Sequence, residues 1–294
     1  MEKYALSRSG GEVVSAVIAP KADAESGHWY RRDGSPCYTV PNKSGGERGI
    51  NLRWDRGLKL VPSVTTVLTV IAKPALEKWK VEQGILSALT LPRIPDEPEE
   101  VYLARVMDDS KQQALNAAAE GTRIHRAIEA HFDGRDYPER FVPHVAATLA
   151  EIKRLFPDVD DWISEKTFAH PLGFGGATDL HSPSTGIVVD YKGRDGDFTE
   201  VDAYGKQKKL AWDQHWQLAA YQVGLGIRPF QTFDMDPPLF SPTQCANIFV
   251  SRTHPGKVAS HVWSADDIAY GWEVFSKALD LWKSLKRYDA SWTL

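Results

Sequence analysis

The stretch from Gly175 to Lys192 sets two aspartates and a lysine, Asp179, Asp190 and Lys192, on two runs with strand character, and the rest of the chain is organised around it. Residues 177–181 have strand character, residues 182–186 (Ser-Pro-Ser-Thr-Gly) have a turn composition, and Ile187-Val188-Val189 is β-branched and apolar, as in a buried strand. Asp190 and Lys192 are two apart, so they project from one face of that strand. Asp179 sits on the strand before it. Two carboxylates on neighbouring strands, with an ammonium beside one of them, suit a hard divalent cation and a polarised water. At about 4 Å the carboxylates would repel by roughly 4 kcal/mol at an effective dielectric of 20. Without a cation, one of them would tend to take a proton.

The rest of the composition narrows the class. Cys37 and Cys245 are the two cysteines, too few for a disulfide framework or a four-cysteine zinc or iron–sulfur site. No apolar run approaches the roughly 20 residues that span a bilayer, and residues 1–8 lack the apolar core of a secretory signal. A reducing cytoplasm is the expected setting, with no membrane partner. The net charge of −4 argues against a protein that coats DNA non-specifically, but acidic ligands count against that total and a basic groove can be local.

In chain order, residues 1–27 read as a start with one peripheral strand near 13–19, and residues 28–61 as a small antiparallel meander. Ser63 is placed to cap a short helix, and Pro74 to open another. Ser63, Thr65, Trp79 and Lys80 have the chemistry to touch phosphates and bases, against the plainer reading of a polar helix face with Trp79 in the core. Residues 91–100 are a Pro-rich acidic loop. Residues 101–132 form a long helix, with room for one break. Gly121, one turn before His125, would let something approach that helix closely, and His125 and Glu129 share a face, which by itself suggests a surface hydrogen bond. A helix over 144–156 and a strand over 162–169 follow. Residues 173–176 read as a tight link, 193–197 as a loop, and Lys206, Lys208 and Lys209 as a basic stretch. A helix over 208–225 places Gln217 and Tyr221 on one face. Residues 227–244 read as a functional flap, 247–251 as a strand, and Ser264 as the cap of a C-terminal helix running to about Lys286.

Taken in order, Gly121-x-x-x-His125…Glu129 on a helix, Glu165 on a strand, Gly176-x-x-Asp179, Asp190-x-Lys192 and Gln217-x-x-x-Tyr221 resemble the RecB-like branch of the PD-(D/E)XK nuclease superfamily. Residues 62–68 and 76–80 look like the region before the nuclease core in mitochondrial genome maintenance exonucleases and related phage exonucleases. The resemblance implies an α/β fold with a mixed central sheet flanked by helices, a restriction-endonuclease-like αβββαβ core. An N-terminal extension and β meander (1–61) would precede a nuclease domain (62–294). That domain divides into a helical arch (62–120), a catalytic core (121–225) and a C-terminal strand and helices (226–294).

The resemblance also implies roles. Asp179 and Asp190 would bind one or two Mg²⁺ or Mn²⁺ ions, joined by His125 and the backbone carbonyl of Tyr191. Lys192 would orient the attacking water, Glu165 would approach the metal site, and Gln217 and Tyr221 would hold DNA or Lys192. Ser63, Thr65, Trp79 and Lys80 would contact DNA. No iron–sulfur cluster is expected. Gly193 departs from the Thr or Ser that many relatives carry after the lysine.

The activity implied is a metal-dependent DNA exonuclease working from free ends in recombination, repair or phage DNA processing, in a bacterial or phage-infected cell. Single strands are among its candidate substrates, and a recombination or single-strand-binding protein is a candidate partner. Rival readings are an endonuclease of the same fold and an inactive DNA-binding protein. A small phosphate-ester hydrolase ranks third, since no nucleotide-binding glycine motif occurs.

Overall fold

A computed structural model describes residues 28–201, 205, 209–226 and 243–289. The strand expected near 13–19, Lys206, Lys208 and residues 227–242 of the expected flap lie outside the described residues. The chain is an α/β fold built on a five-stranded mixed sheet flanked by helices. Four short strands come first: β1 (Trp29–Tyr30), β2 (Thr39–Pro41), β3 (Glu47–Gly49) and β4 (Val61–Pro62). They form two separate antiparallel pairs, β1 with β4 and β2 with β3, in place of one meander. Pro36 and Pro41 have no N–H to carry a continuous ladder through this stretch. The unit packs into the body: Trp29 lies 6.1 Å from Trp282, centroid to centroid, and the Tyr288 hydroxyl donates to the Leu60 carbonyl at 2.7 Å.

Three helices follow: α1 (Val64–Val67), α2 (Pro74–Thr90) and α3 (Glu99–Phe132). Ser63 caps α1 by accepting from the Thr66 N–H, and Pro74 opens α2 at its first turn. The long helix is unbroken over 34 residues. Between Glu99 and Glu120 it buries only Val106, whereas Ile124, Ala127, Ile128 and Ala130 are all buried. The first part of α3 pairs with α2, and the last part packs on the sheet.

After α4 (Val142–Leu155) come β5 (Ile163–His170), β6 (Phe174–His181) and β7 (Val188–Arg194). Next are α5 (Gln214–Gly224), β8 (Cys245–Ser251), β9 (Val258–Trp263) and α6 (Ala265–Lys286). The sheet order is β5-β6-β7-β8-β9, antiparallel except for the parallel pair β7–β8. Alternation along β7 divides two cores: Val189 and Tyr191 face Ile124, Ile128 and Val145 of α3 and α4, while Val188 faces the core shared with α5 and α6. Ser264 and Asp267 form a reciprocal capping box that starts α6.

Three local expectations are corrected. Residues 173–176 are not a link. The turn is His170–Gly173, with Gly173 at φ +87°, and the strand has begun by Phe174. Gly175 and Gly176 are strand residues with no room for a side chain: a Cβ at 175 would lie 2.8 Å from the Phe168 carbonyl oxygen, and one at 176 would lie 2.9 Å from both the Phe168 and Tyr221 rings. Residues 193 and 194 are strand rather than loop, because the parallel ladder with β8 runs on to Arg194 opposite Ser251. The helix over 208–225 starts at Gln214. Its side-chain oxygen accepts from the Trp212 and Asp213 N–H groups (2.7 and 3.3 Å) and holds the preceding residues in a turn. Among the described residues, no helix is long and apolar enough to cross a membrane.

Candidate functional site

The site forms where β6 and β7 part. The two strands pair at only two positions, Leu180↔Val189 and His181↔Val188. The ladder stops before Asp179 and Asp190, and the Tyr191 N–H is taken by Asp179 Oδ2 at 2.6 Å. A side chain thus replaces the missing ladder bond and leaves an opening walled by both carboxylates. Asp190 is 3% exposed and holds three donors: Lys192 Nζ at 2.8 Å (Oδ2) and 3.0 Å (Oδ1), Asn247 Nδ2 at 2.8 Å, and Gln217 Nε2 at 3.2 Å. Gln217 also accepts from Lys192 Nζ at 3.1 Å and donates to the Tyr221 hydroxyl at 2.7 Å. The residues expected from the strand–strand–helix pattern are therefore one connected network.

His125 reaches the same opening from α3. Its Nδ1 is 3.5 Å from Asp179 Oδ1, and its ring stands edge-on to Tyr191. The expected helix-surface pairing does not form, since Glu129 binds Arg135 at 2.6 Å. Gly121 is where β7 comes close to α3: a Cβ at Gly193 would lie 3.4 Å from the Gly121 Cα, although a Cβ at Gly121 itself would meet nothing within 4 Å.

Electrostatics separates the two acids. Burial works against charge on Asp179, but His125, Lys192 and the Tyr191 N–H outweigh it and lower its pKa. Burial raises that of Asp190 despite Lys192, and the charge of Asp179 adds to the rise. Burial opposes the charged form of His125 as well, and Asp179 overcomes it, so its pKa rises.

Glu165 lies opposite Asp179. The register is the same on either side of it, Ser164↔Leu180 and Lys166↔Thr178, but Glu165 itself is unpaired, with φ +47°. A glutamate in the left-handed region carries backbone strain. Desolvation of its carboxyl, then the charges of Asp179 and Glu129, push its pKa up to about 7, although the side chain still meets solvent.

The upstream residues are more scattered. Ser63 is buried, and its hydroxyl is spent on the Thr66 N–H and the hydroxyls of Thr65 and Thr66. As a direct phosphate contact it is therefore displaced by its capping role. Thr65 is exposed. Trp79 is 39% exposed on α2 and so is not a core residue, while Lys80 is paired with Glu77 at 2.8 Å. Both lie on α2, which packs on α3.

Asn247 and Trp263 were missed by sequence reasoning. Trp263 Nε1 donates to Asn247 Oδ1 at 2.8 Å, which leaves the Asn247 amide nitrogen aimed at Asp190. The available signal was a polar residue inside the otherwise apolar run Cys245-Ala-Asn-Ile-Phe-Val.

Among the described residues, no three His, Cys, Asp or Glu side chains converge as a ready-made metal cage. The donor set nevertheless suits Mg²⁺ or Mn²⁺: two carboxylates and an imidazole at one opening, with Asp190 carrying a burial penalty that a cation would relieve. Mg²⁺ commonly binds through one or two carboxylates, completed by water and substrate phosphate. No family model and no curated protein matches the chain.

Proposed function

We propose that the chain is a metal-dependent deoxyribonuclease of the RecB-like PD-(D/E)XK type, acting from free DNA ends. The observation that carries this reading is the Asp190–Lys192 pair set across a parted ladder from Asp179, with His125 on one side and Gln217–Tyr221 on the other. A cation held by Asp179 and Asp190, with His125 and the Tyr191 carbonyl at hand, would supply a water of lowered pKa and positive charge beside the phosphate. Lys192 orients that water and offsets charge building on the phosphate oxygens. Asp190 and Gln217 hold the ammonium in place, and Asn247 fixes the Asp190 carboxylate plane. Glu165, at the edge of the opening, can take up or release a proton near neutral pH.

End-labelled linear and closed circular DNA, single- and double-stranded, incubated with Mg²⁺, Mn²⁺ or EDTA, tests the proposal. Metal-dependent loss of linear DNA alone, abolished in Lys192→Ala, is expected. Cleavage of circles would make the enzyme an endonuclease. Binding without cleavage under any metal would make the chain a DNA-binding protein on an enzyme scaffold.

A further inference from the structure

Lys192 is not the last cation on its face of β7. Because the strand continues to Arg194, the side chains of Asp190, Lys192 and Arg194 alternate onto one face. The Arg194 Cα lies roughly 7 Å beyond that of Lys192. Its guanidinium sits 5.9 Å from the centre of the Phe249 ring, the residue paired with Lys192 in β8. Among the described residues it forms no ion pair, and its hydrogen bond is a long one, 3.4 Å, to the adjacent Gly193 carbonyl. The nearest acid in sequence, Asp195, is engaged by Arg252 at 2.9 Å. Desolvation, then the charge of Arg252, holds the Arg194 guanidinium below the usual arginine range, against the opposing pull of Asp190, Asp213 and Asp195.

Arg194 also lines a recess of about 180 Å³ with Gly196, Phe198, Glu200, Lys209 and Leu210. Arg194 and Lys209 line it together with two carboxylates, Asp195 and Glu200, of which Asp195 is taken by Arg252. At the far side, Lys209 Nζ stands 4.8 Å from the Trp212 ring centre, and Trp212 Nε1 donates to the Lys209 carbonyl at 3.2 Å. Trp212 is 62% exposed, with its backbone N–H held by Gln214. Both of its N–H groups are engaged, so what its side chain offers a ligand is ring surface beside a cation.

We propose that Arg194, Lys209 and Trp212 form a subsite for one unpaired nucleotide next to the scissile phosphate, with the cations on its phosphate and Trp212 stacked on its base. The proposal rests on the nuclease reading and sharpens it: a base whose face is covered by duplex neighbours cannot reach Trp212, so the preferred substrate is single-stranded DNA or a frayed end. Arg194 and Trp212 are binding and positioning residues that do not act on the bond that breaks.

Anisotropy titration of a labelled oligothymidylate in EDTA, over a salt series, reads this without turnover. Arg194→Ala is expected to weaken binding and to make the slope of log affinity against log salt shallower by about 0.7, one phosphate contact on a single strand. Trp212→Ala is expected to weaken single-strand binding about tenfold, leaving both the slope and duplex binding unchanged. Trp212→Phe should restore most of that loss, which a merely structural role would not require. In turnover, Trp212→Ala should raise KM with little change in kcat. If the wild type binds and cleaves single strands but Arg194→Ala and Trp212→Ala bind as it does, the subsite is wrong and the nuclease reading stands. If the wild type neither binds nor cleaves DNA with Mg²⁺ or Mn²⁺, the nuclease reading fails and the subsite falls with it.

Discussion

Asn247 donates its side-chain amide to Asp190 Oδ2 at 2.8 Å across the one parallel pair of the sheet, and its own carbonyl is held by Trp263 Nε1 at 2.8 Å. Asn247 is fully buried, so its orientation is set from behind and transmitted to the carboxylate. Asn247→Ala removes a donor from Asp190 and strands the Trp263 N–H. A loss of about 10- to 100-fold in nuclease rate is expected, the usual cost of losing a partner that orients a ligand, with roughly 1–3 kcal/mol of stability. Asn247→Asp should be less stable still, because it places a second buried carboxylate against Asp190. Rates on linear DNA and urea midpoints check both; wild-type rates in Asn247→Ala would show that Asp190 needs no such anchor.

Gln217 distinguishes between two explanations of the same network. It touches Lys192, Asp190 and Tyr221, whereas Tyr221 touches the network only through its hydroxyl. If Gln217 positions Lys192, Gln217→Ala should cost about 10- to 100-fold in rate, and Tyr221→Phe, which keeps the ring against Phe168, should cost much less. Equal losses in the two variants would place the critical contact at the tyrosine hydroxyl instead.

Much of this arrangement is legible in the amino-acid sequence itself. Asp190 and Lys192 share a face by strand periodicity alone, and Ser63, Pro74 and Ser264 mark helix starts that the structure reproduces. The rest depends on tertiary neighbours. Glycines in a strand read as a link until Tyr30 and the Phe168 carbonyl are placed against Gly175, and the Phe168 and Tyr221 rings against Gly176. Arg194 reads as loop until the parallel ladder with β8 extends its strand. Asn247 lies 57 residues from Asp190, a separation no local pattern spans. His125 looked like half of a helix-surface pair because the partner that claims it, Asp179, belongs to another element.

The approach of α5 to β5 is set by the absence of a side chain. A Cβ at Gly224 would fall 1.9 Å from Phe168 Cε2, and that ring is already edge-on to both Phe174 and Tyr221. With the ring held on two sides, Gly224→Ala should cost roughly 1–3 kcal/mol or more through overpacking. The cost should shrink sharply in a Phe168→Leu background, since the two positions compete for one volume. A double-mutant cycle by urea denaturation measures the coupling, and simple additivity would mean that α5 slides away without touching the ring.

His170 gives the fold a definite acid sensitivity far from the carboxylates. It is 6% exposed, its Nδ1 accepts from the Leu172 N–H at 3.2 Å, and its ring lies 5.0 Å from that of Phe174. Burial pushes its pKa down to about 4, against 6.5 for an exposed histidine. The folded chain therefore refuses a proton that the unfolded chain accepts. Stability attributable to this residue is intact above about pH 6.5, falls as the pH drops toward about 4, and is level below that. The full difference is on the order of 3 kcal/mol. His144, His181 and His215 are also held down by burial, so the wild type will lose stability through them too. The His170 share is isolated by His170→Asn, which can keep an acceptor for the Leu172 N–H but does not titrate. Urea midpoints for both proteins between pH 7.5 and 4 should diverge, with the variant losing less. Parallel curves would mean that the folded state accommodates a charged His170, and that its burial costs nothing on protonation.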